Sequence, residues 1–137
     1  SRIRMSNGPE AVRLPGGGEM KFLMLIHYDE QAYDAIEEKA PLLEECGRVV
    51  EDVSRRGQFV AAAQLYPTAT ATSVRVREGK RRVTDGPFAE TREQLAGFLL
   101  VDAPDLDEAI AIAATLPPAR FGTIEVRPIL EEKGPAA

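Results

Sequence analysis

The length of 137 residues fits one domain with a single hydrophobic core. The formal net charge of −5 argues against direct nucleic-acid binding, because that activity needs a positive surface. A single cysteine, Cys46, excludes an internal disulfide and a cysteine-rich zinc site. The chain shows neither an apolar run of about 18 residues nor a secretory leader, so we expect no membrane contact and a cytoplasmic protein.

The first 19 residues show no apolar period and end in a Pro-Gly-Gly-Gly run. We expect residues 1–19 to be a disordered extension or an artificial leader. An apolar strand, KFLMLIHY, follows from Lys21 to Tyr28, and its continuous pattern predicts burial on both faces. The folded domain is therefore predicted at residues 20–130, and residues 131–137 are expected to form a frayed tail.

Two long helices are predicted. From Pro41 to Arg56, apolar side chains recur on one helical face and charged side chains fill the other, and Gly57 ends the pattern. The second helix runs from Asp105 to Leu116. Asp105 is suited to cap its first turn, with Glu108 placed three residues later as in a capping box.

Further strands are predicted at Gln58–Leu65, Gly97–Val101 and Thr123–Ile129, with a hairpin at Ser73–Thr84 that turns at Glu78–Lys80. The order strand-helix-strand thus occurs twice, with the hairpin between the two units. This order predicts an α+β, ferredoxin-like fold with an antiparallel sheet, two long helices on one face and an inserted β-hairpin.

Two helices can cover only one face of such a sheet. Lys21–Tyr28 and Gly97–Val101 nevertheless carry apolar residues toward both faces. Burying each large apolar side chain is worth roughly 1.5–3 kcal/mol, and an exposed patch of this size is a liability. The sequence therefore predicts a homodimer that forms through the open face of the sheet.

The most constrained backbone is predicted at Asp85-Gly86-Pro87-Phe88. Pro87 has no N–H group, so the Asp85 carboxylate cannot form the usual Asx-turn bond. It must bond to the N–H of Phe88, bond elsewhere, or remain free for a ligand. Gly86 precedes proline and can adopt angles that other residues avoid, and Pro87 can begin a short helix to Gln94. Two interpretations stay open: a turn that positions a strand, and a ligand-facing carboxylate.

His27 is the only histidine, and it ends the first strand beside Tyr28. Histidine suits acid–base work near neutral pH, so a nearby Asp85 or Glu90 would form a catalytic pair with it. The alternative is a histidine at the sheet surface or the dimer seam. The scattered carboxylates have no metal-ligand spacing, so neither a metal nor a cofactor is expected.

The predicted hairpin is basic in an otherwise acidic chain. Arg75 and Arg77 lie on its first strand, and Lys80, Arg81 and Arg82 lie on its second. These side chains favour contact with a small anionic ligand or an acidic partner. Alternatively, they form a charged surface that resists edge pairing.

Several segments between Met20 and Ile129 resemble the DGPF group of the YCII-related family. They are the opening K-F-L-M-L-I, the D-G-P-F run at Asp85–Phe88, the pairs Glu90-Thr91 and Gly97-Phe98, and the E-V-R-P run at Glu125–Pro128. The resemblance implies a dimeric α/β-barrel. Some relatives are thought to be enzymes with a His–Asp pair on the first long helix, but Pro41–Arg56 contains no histidine. Other relatives are encoded beside the genes of extracytoplasmic-function sigma factors. This association implies a regulatory role through protein contact.

These features of the sequence lead to two hypotheses about function. The first is a small dimeric enzyme with a cleft beside the DGPF turn, in which Asp85 is the acid or base and His27 its partner. The second is a non-catalytic dimeric regulator that uses the same cleft for contact. A cavity shared by Asp85 and His27 would favour the enzyme. The residues expected to contact the ligand are Gly86, Pro87, Phe88, Glu90, Arg75, Arg77 and Tyr28.

Overall fold

A computed structural model describes residues 20–131, so the predicted N-terminal extension and residues 132–137 of the predicted tail lie outside the described residues. The strands are β1 (Met20–Tyr28), β2 (Phe59–Gln64), β3 (Thr72–Arg77), β4 (Lys80–Asp85), β5 (Gln94–Ala103) and β6 (Thr123–Pro128). The α-helices are α1 (Glu30–Asp34), α2 (Ala40–Arg55) and α3 (Leu106–Thr115). Short 3-10 helices occur at Thr68–Thr70 and Pro117–Arg120.

The main sheet has the strand order β2-β5-β1-β6, and all of its neighbouring strands are antiparallel. The two strands β3 and β4 form a separate hairpin between β2 and β5 in the chain. Both long helices pack on the same face of the sheet. The predicted α+β, ferredoxin-like class is therefore confirmed.

The core lies between the two long helices and one face of the sheet. Phe22 and Met24 of β1 are fully buried there, as is Val101 of β5. Val53 of α2 and Ala109 of α3 close the layer from the helix side and are also fully buried. Alternation along the strands places these side chains on one face, because successive residues of a strand point to opposite sides.

The opposite face of the sheet carries a patch of four larger apolar side chains, which we call the open face. Leu23 pairs with Leu100, and Leu25 pairs with Phe98, across the two central strands. All four side chains are only partly buried. The helices of the subunit thus cover one face of β1 only, and the burial of its second face stays a prediction that depends on the predicted dimer.

The predicted helix from Pro87 to Gln94 is wrong. Residues 86–93 form an irregular loop, and β5 already begins at Gln94. The Gln94 side chain donates to the carbonyl of Thr91 at 2.6 Å, and the Thr91 hydroxyl donates to the carbonyl of Glu93 at 2.7 Å. Such local bonds offer the backbone an alternative to helical pairing.

Gly86 joins the hairpin to this loop, and its φ of +98° is an angle that glycine adopts and other residues avoid. Its N–H donates to the carbonyl of Ala71 at 2.7 Å, and its carbonyl accepts from the hydroxyl of Ser73 at 2.7 Å. These two bonds close the base of the hairpin and fix the direction in which the DGPF loop leaves it.

Candidate apolar cavity

A cavity of about 250 Å³ separates part of α2 from the sheet. Val53, near the C-terminal end of α2, is the one residue of that helix that is buried. Leu42, Cys46 and Val50 lie closer to the N-terminal end and line the cavity instead of packing on the strands. The cavity therefore exists because α2 covers the sheet closely only at one end.

Small residues form the strand side of the cavity. Ala62 of β2 pairs with Leu99 of β5, and both line the space together with Ala96 and Gly97. Ala62 is exposed even though it belongs to a strand of the sheet. No large side chain projects from Ala62, Ala96 or Gly97, so the space between α2 and this part of the sheet stays open.

Three aromatic rings cluster at one end of the cavity. Tyr28 stacks on Tyr33 with ring centroids 4.6 Å apart, and Phe121 lies 5.7 Å from Tyr28 and 6.4 Å from Tyr33. All three residues line the cavity. Stacked and tilted pairs at these distances are favourable, so the rings form a defined aromatic wall.

A second cavity of about 390 Å³ adjoins the first and forms a more polar mouth. The two cavities share Tyr28, Tyr33, Gln64 and Ala96. The mouth adds polar and aromatic side chains that the first cavity lacks, among them Glu30, Asp34 and Tyr66. The arrangement is an apolar interior with a polar entrance, which is the usual design of a small-molecule site.

Glu30 organises the mouth. Its two carboxylate oxygens accept from the N–H and the hydroxyl of Thr68, at 2.9 and 2.6 Å. Its own N–H donates to the side-chain oxygen of Gln94 at 2.8 Å. Glu30 thus ties the start of α1 to the segment after β2 and to the first residue of β5.

Burial and neighbouring negative charge raise the pKa of three ionisable groups in the lining. Burial raises the pKa of Tyr28, and Tyr33, Glu30 and Asp34 raise it further. Burial also raises the pKa of Tyr33 and of the Cys46 thiol. The phenols and the thiol are therefore neutral at pH 7, and Cys46 is a weak nucleophile there.

Asp85 and the DGPF loop lie away from the two cavities. Asp85 ends β4 as an exposed residue, and its carboxylate makes no hydrogen bond or ion pair within residues 20–131. Phe88 is 79% exposed. Glu90 and Pro87 are also exposed, and none of these residues lines either cavity.

His27 lies on the open face, on the side of β1 opposite to Tyr28. Its Nε2 atom is 3.3 Å from a carboxylate oxygen of Glu125 but is not aligned for a hydrogen bond. Glu125 comes from the neighbouring strand β6. Neither cavity described above is lined by His27 or by Asp85, so the subunit does not bring the two residues to a common cavity.

Arg75 and Arg77 project from one face of the hairpin. Arg75 pairs with Arg82, and Arg77 pairs with Lys80, so four cations share that face. All four are exposed, and none lines a cavity. Of the residues expected to contact a ligand, only Tyr28 lies in the cavities.

Most of the lining residues were not predicted from the sequence. Tyr33, Phe121 and the paired carboxylates of the mouth come from segments that carry no motif of their own. Within residues 20–131, no group of three or more His, Cys, Asp and Glu side chains is placed to hold a metal ion.

One known protein family matches the whole of the described domain. The YCII-related domain matches residues 20–133. An uncharacterized protein of Rhizobium meliloti (strain 1021) is 38% identical over 114 residues, which cover 80% of this chain and 92% of that relative.

Among the described residues, no helix is long and apolar enough to span a membrane.

Proposed function

This chain belongs to the YCII-related family, and we propose that it binds a small, mainly apolar molecule in the cavity beneath α2. The supporting observation is the cavity itself, which has an apolar interior, a stacked aromatic wall and a polar entrance. Pockets of this composition bind small molecules by burying most of the ligand surface while a few polar groups fix its orientation.

Binding of a neutral apolar probe tests this proposal. We expect 4-phenylbutanol to raise the melting temperature of the wild-type protein, because a ligand that binds only the folded state stabilises it. Replacing Ala62 with leucine puts a larger side chain on the cavity-lining strand. We expect A62L to weaken the binding of 4-phenylbutanol by about tenfold or more, corresponding to about 1.4 kcal/mol, measured by calorimetry.

The control is Ala111→Leu. Ala111 lies on the exposed side of α3 and lines neither cavity, so A111L adds the same side chain without filling the proposed site. We expect A111L to bind 4-phenylbutanol as the wild type does. Equal affinities for wild type and A62L, or no binding by the wild type, would contradict the proposal.

A second function, as a dimeric regulator or partner protein, is favoured by the apolar surface that the subunit leaves uncovered. The open face has Leu23, Leu25, Phe98 and Leu100 at its centre. A Lys21–Asp102 ion pair of 3.1 Å lies toward one end, and the His27–Glu125 contact lies toward the other. An apolar centre with a polar rim is typical of protein interfaces. We propose that a second copy covers this face.

The hairpin supports a role in protein contact as well. Its Val74, Val76 and Val83 are about 60% exposed, and its opposite face carries the four cations. Contact with a small anion or an acidic partner, including a component of a sigma-factor system, remains a prediction for this surface. The pair of Asp85 and His27 likewise remains a proposal for catalysis, to be tested by separate Asp85→Asn and His27→Ala variants.

A further inference from the structure

We propose that the molecule bound beneath α2 is an amphipathic amine, with its apolar body in the cavity and its cationic group at the mouth near Asp34. This inference rests on the proposed binding function and adds the chemical class of the ligand. It depends on the charges that line the two cavities, on the aromatic wall and on the free carboxylate at the entrance.

The charged side chains of the lining are both negative, and both lie in the second cavity, the mouth. Glu30 and Asp34 contribute carboxylates, and none of the residues that line the two cavities is a lysine, an arginine or a histidine. An anion that entered here would meet like charge, and no lining residue would offer it a cationic partner. A cation would be attracted, because opposite charges near a partly desolvated wall interact more strongly than in bulk water.

Two cations outside the lining, Arg120 and Lys39, make contacts within the chain. Arg120 holds the carboxylate of Glu45 through two contacts of 2.6 and 3.3 Å. Lys39 donates to the carbonyls of Ile36 and Asp34 at 2.8 and 3.2 Å. Arg120 is thus paired with a carboxylate outside the lining, whereas the ammonium of Lys39 lies beside Asp34. The two carboxylates of the mouth still outnumber this one cation, so the net charge there is negative.

The aromatic wall accommodates a cation. The ammonium nitrogen of Lys39 lies 5.4 Å from the ring centroid of Tyr33, within the range of a cation–π contact. Tyr33 also lines both cavities and stacks on Tyr28. A ligand amine at the mouth would therefore lie beside the carboxylates of Glu30 and Asp34, at the same end of the binding site as the aromatic rings.

The two carboxylates of the mouth have different roles. Both oxygens of Glu30 are engaged by Thr68, so Glu30 supplies a fixed negative charge. The carboxylate of Asp34 is exposed and makes no hydrogen bond or ion pair within residues 20–131. Asp34 is therefore the residue that is free to contact an incoming amine.

A matched series of three probes tests this inference. The compounds 4-phenylbutylamine, 4-phenylbutanol and 4-phenylbutyrate share one apolar body and differ in the charge of the polar end. We expect the amine to bind roughly fivefold more tightly than the alcohol, as one ionic contact near the surface allows. We expect the carboxylate to bind more weakly than the alcohol, and added salt to reduce both differences. Calorimetry at low and high salt measures all three affinities.

The variant Asp34→Asn separates charge from shape. We expect D34N to lose most of the preference for the amine and to keep its affinity for the alcohol. Asp107→Asn removes one negative charge from α3, outside both cavities, and should leave the preference unchanged. If the alcohol binds and the amine binds no more tightly, the inference is wrong while the proposed function stands. If none of the three probes binds, the proposed function is wrong, and the inference falls with it.

Discussion

Replacing Gly122 with alanine is expected to destabilise the fold by about 3 kcal/mol, near the upper end for overpacking a filled site. A Cβ atom at this position would overlap the carbonyl oxygen of His27 and lie 2.8 Å from the Cβ of Tyr28. These atoms belong to β1, a central strand that cannot move without disturbing its pairing with β5 and β6. Urea unfolding measures the loss.

Gly47→Ala is the matched control. Gly47 lies within α2, is exposed, and has no atom within 4 Å of a Cβ built on it. The same substitution should therefore stabilise the protein by roughly 0.5–1 kcal/mol, because alanine favours a helix interior over glycine. If G122A were as stable as the wild type, the close approach of β1 to the segment before β6 would not exist in the folded protein.

Replacing Leu25 with aspartate is expected to convert the proposed homodimer into a monomer. Leu25 lies near the centre of the open face, where it pairs with Phe98. In a two-fold symmetric dimer the substitution occurs twice in one interface, so each subunit loses apolar burial and gains a charge without a partner. We expect the dissociation constant to rise by a hundredfold or more, because the loss of about 3 kcal/mol corresponds to that factor.

Analytical ultracentrifugation over a range of concentrations measures this change, and circular dichroism checks that the variant is folded. Ala111→Asp places the same charge on the exposed side of α3, on the opposite side of the sheet, and should remain dimeric. Leu25→Gln is a milder second variant for the case in which L25D does not fold. A wild-type protein that sediments as a monomer at all concentrations would refute the proposed dimer.

The regular elements could be predicted because each has a local signal. The spacing of apolar residues predicted α2 to within one residue at each end. The Asp105 side chain accepts from the N–H of Glu108 at 2.9 Å, as the predicted cap requires. The strand order also follows, because two strand-helix-strand units admit few arrangements with short, right-handed connections.

The cavity could not be predicted in the same way. Its lining joins residues of β1, α1, α2, β2, β5 and the segment around Phe121, and the gap between α2 and the sheet leaves no local pattern. The apolar stripe of α2 predicted burial along the whole helix, whereas Val53 alone is buried. The constrained DGPF run predicted a site at Asp85, which the fold places at the base of an exposed hairpin.

The most direct test of the central claim uses Cys46, which is the only cysteine of the chain and lines the cavity beneath α2. Burial raises the pKa of its thiol, so alkylation by iodoacetamide should be slow at neutral pH and faster in mildly alkaline buffer. In that buffer, we expect saturating 4-phenylbutanol to slow alkylation by roughly tenfold, as followed by mass spectrometry of the intact chain. An alkylation rate that is unchanged by the bound probe would show that the ligand binds elsewhere and would contradict the account.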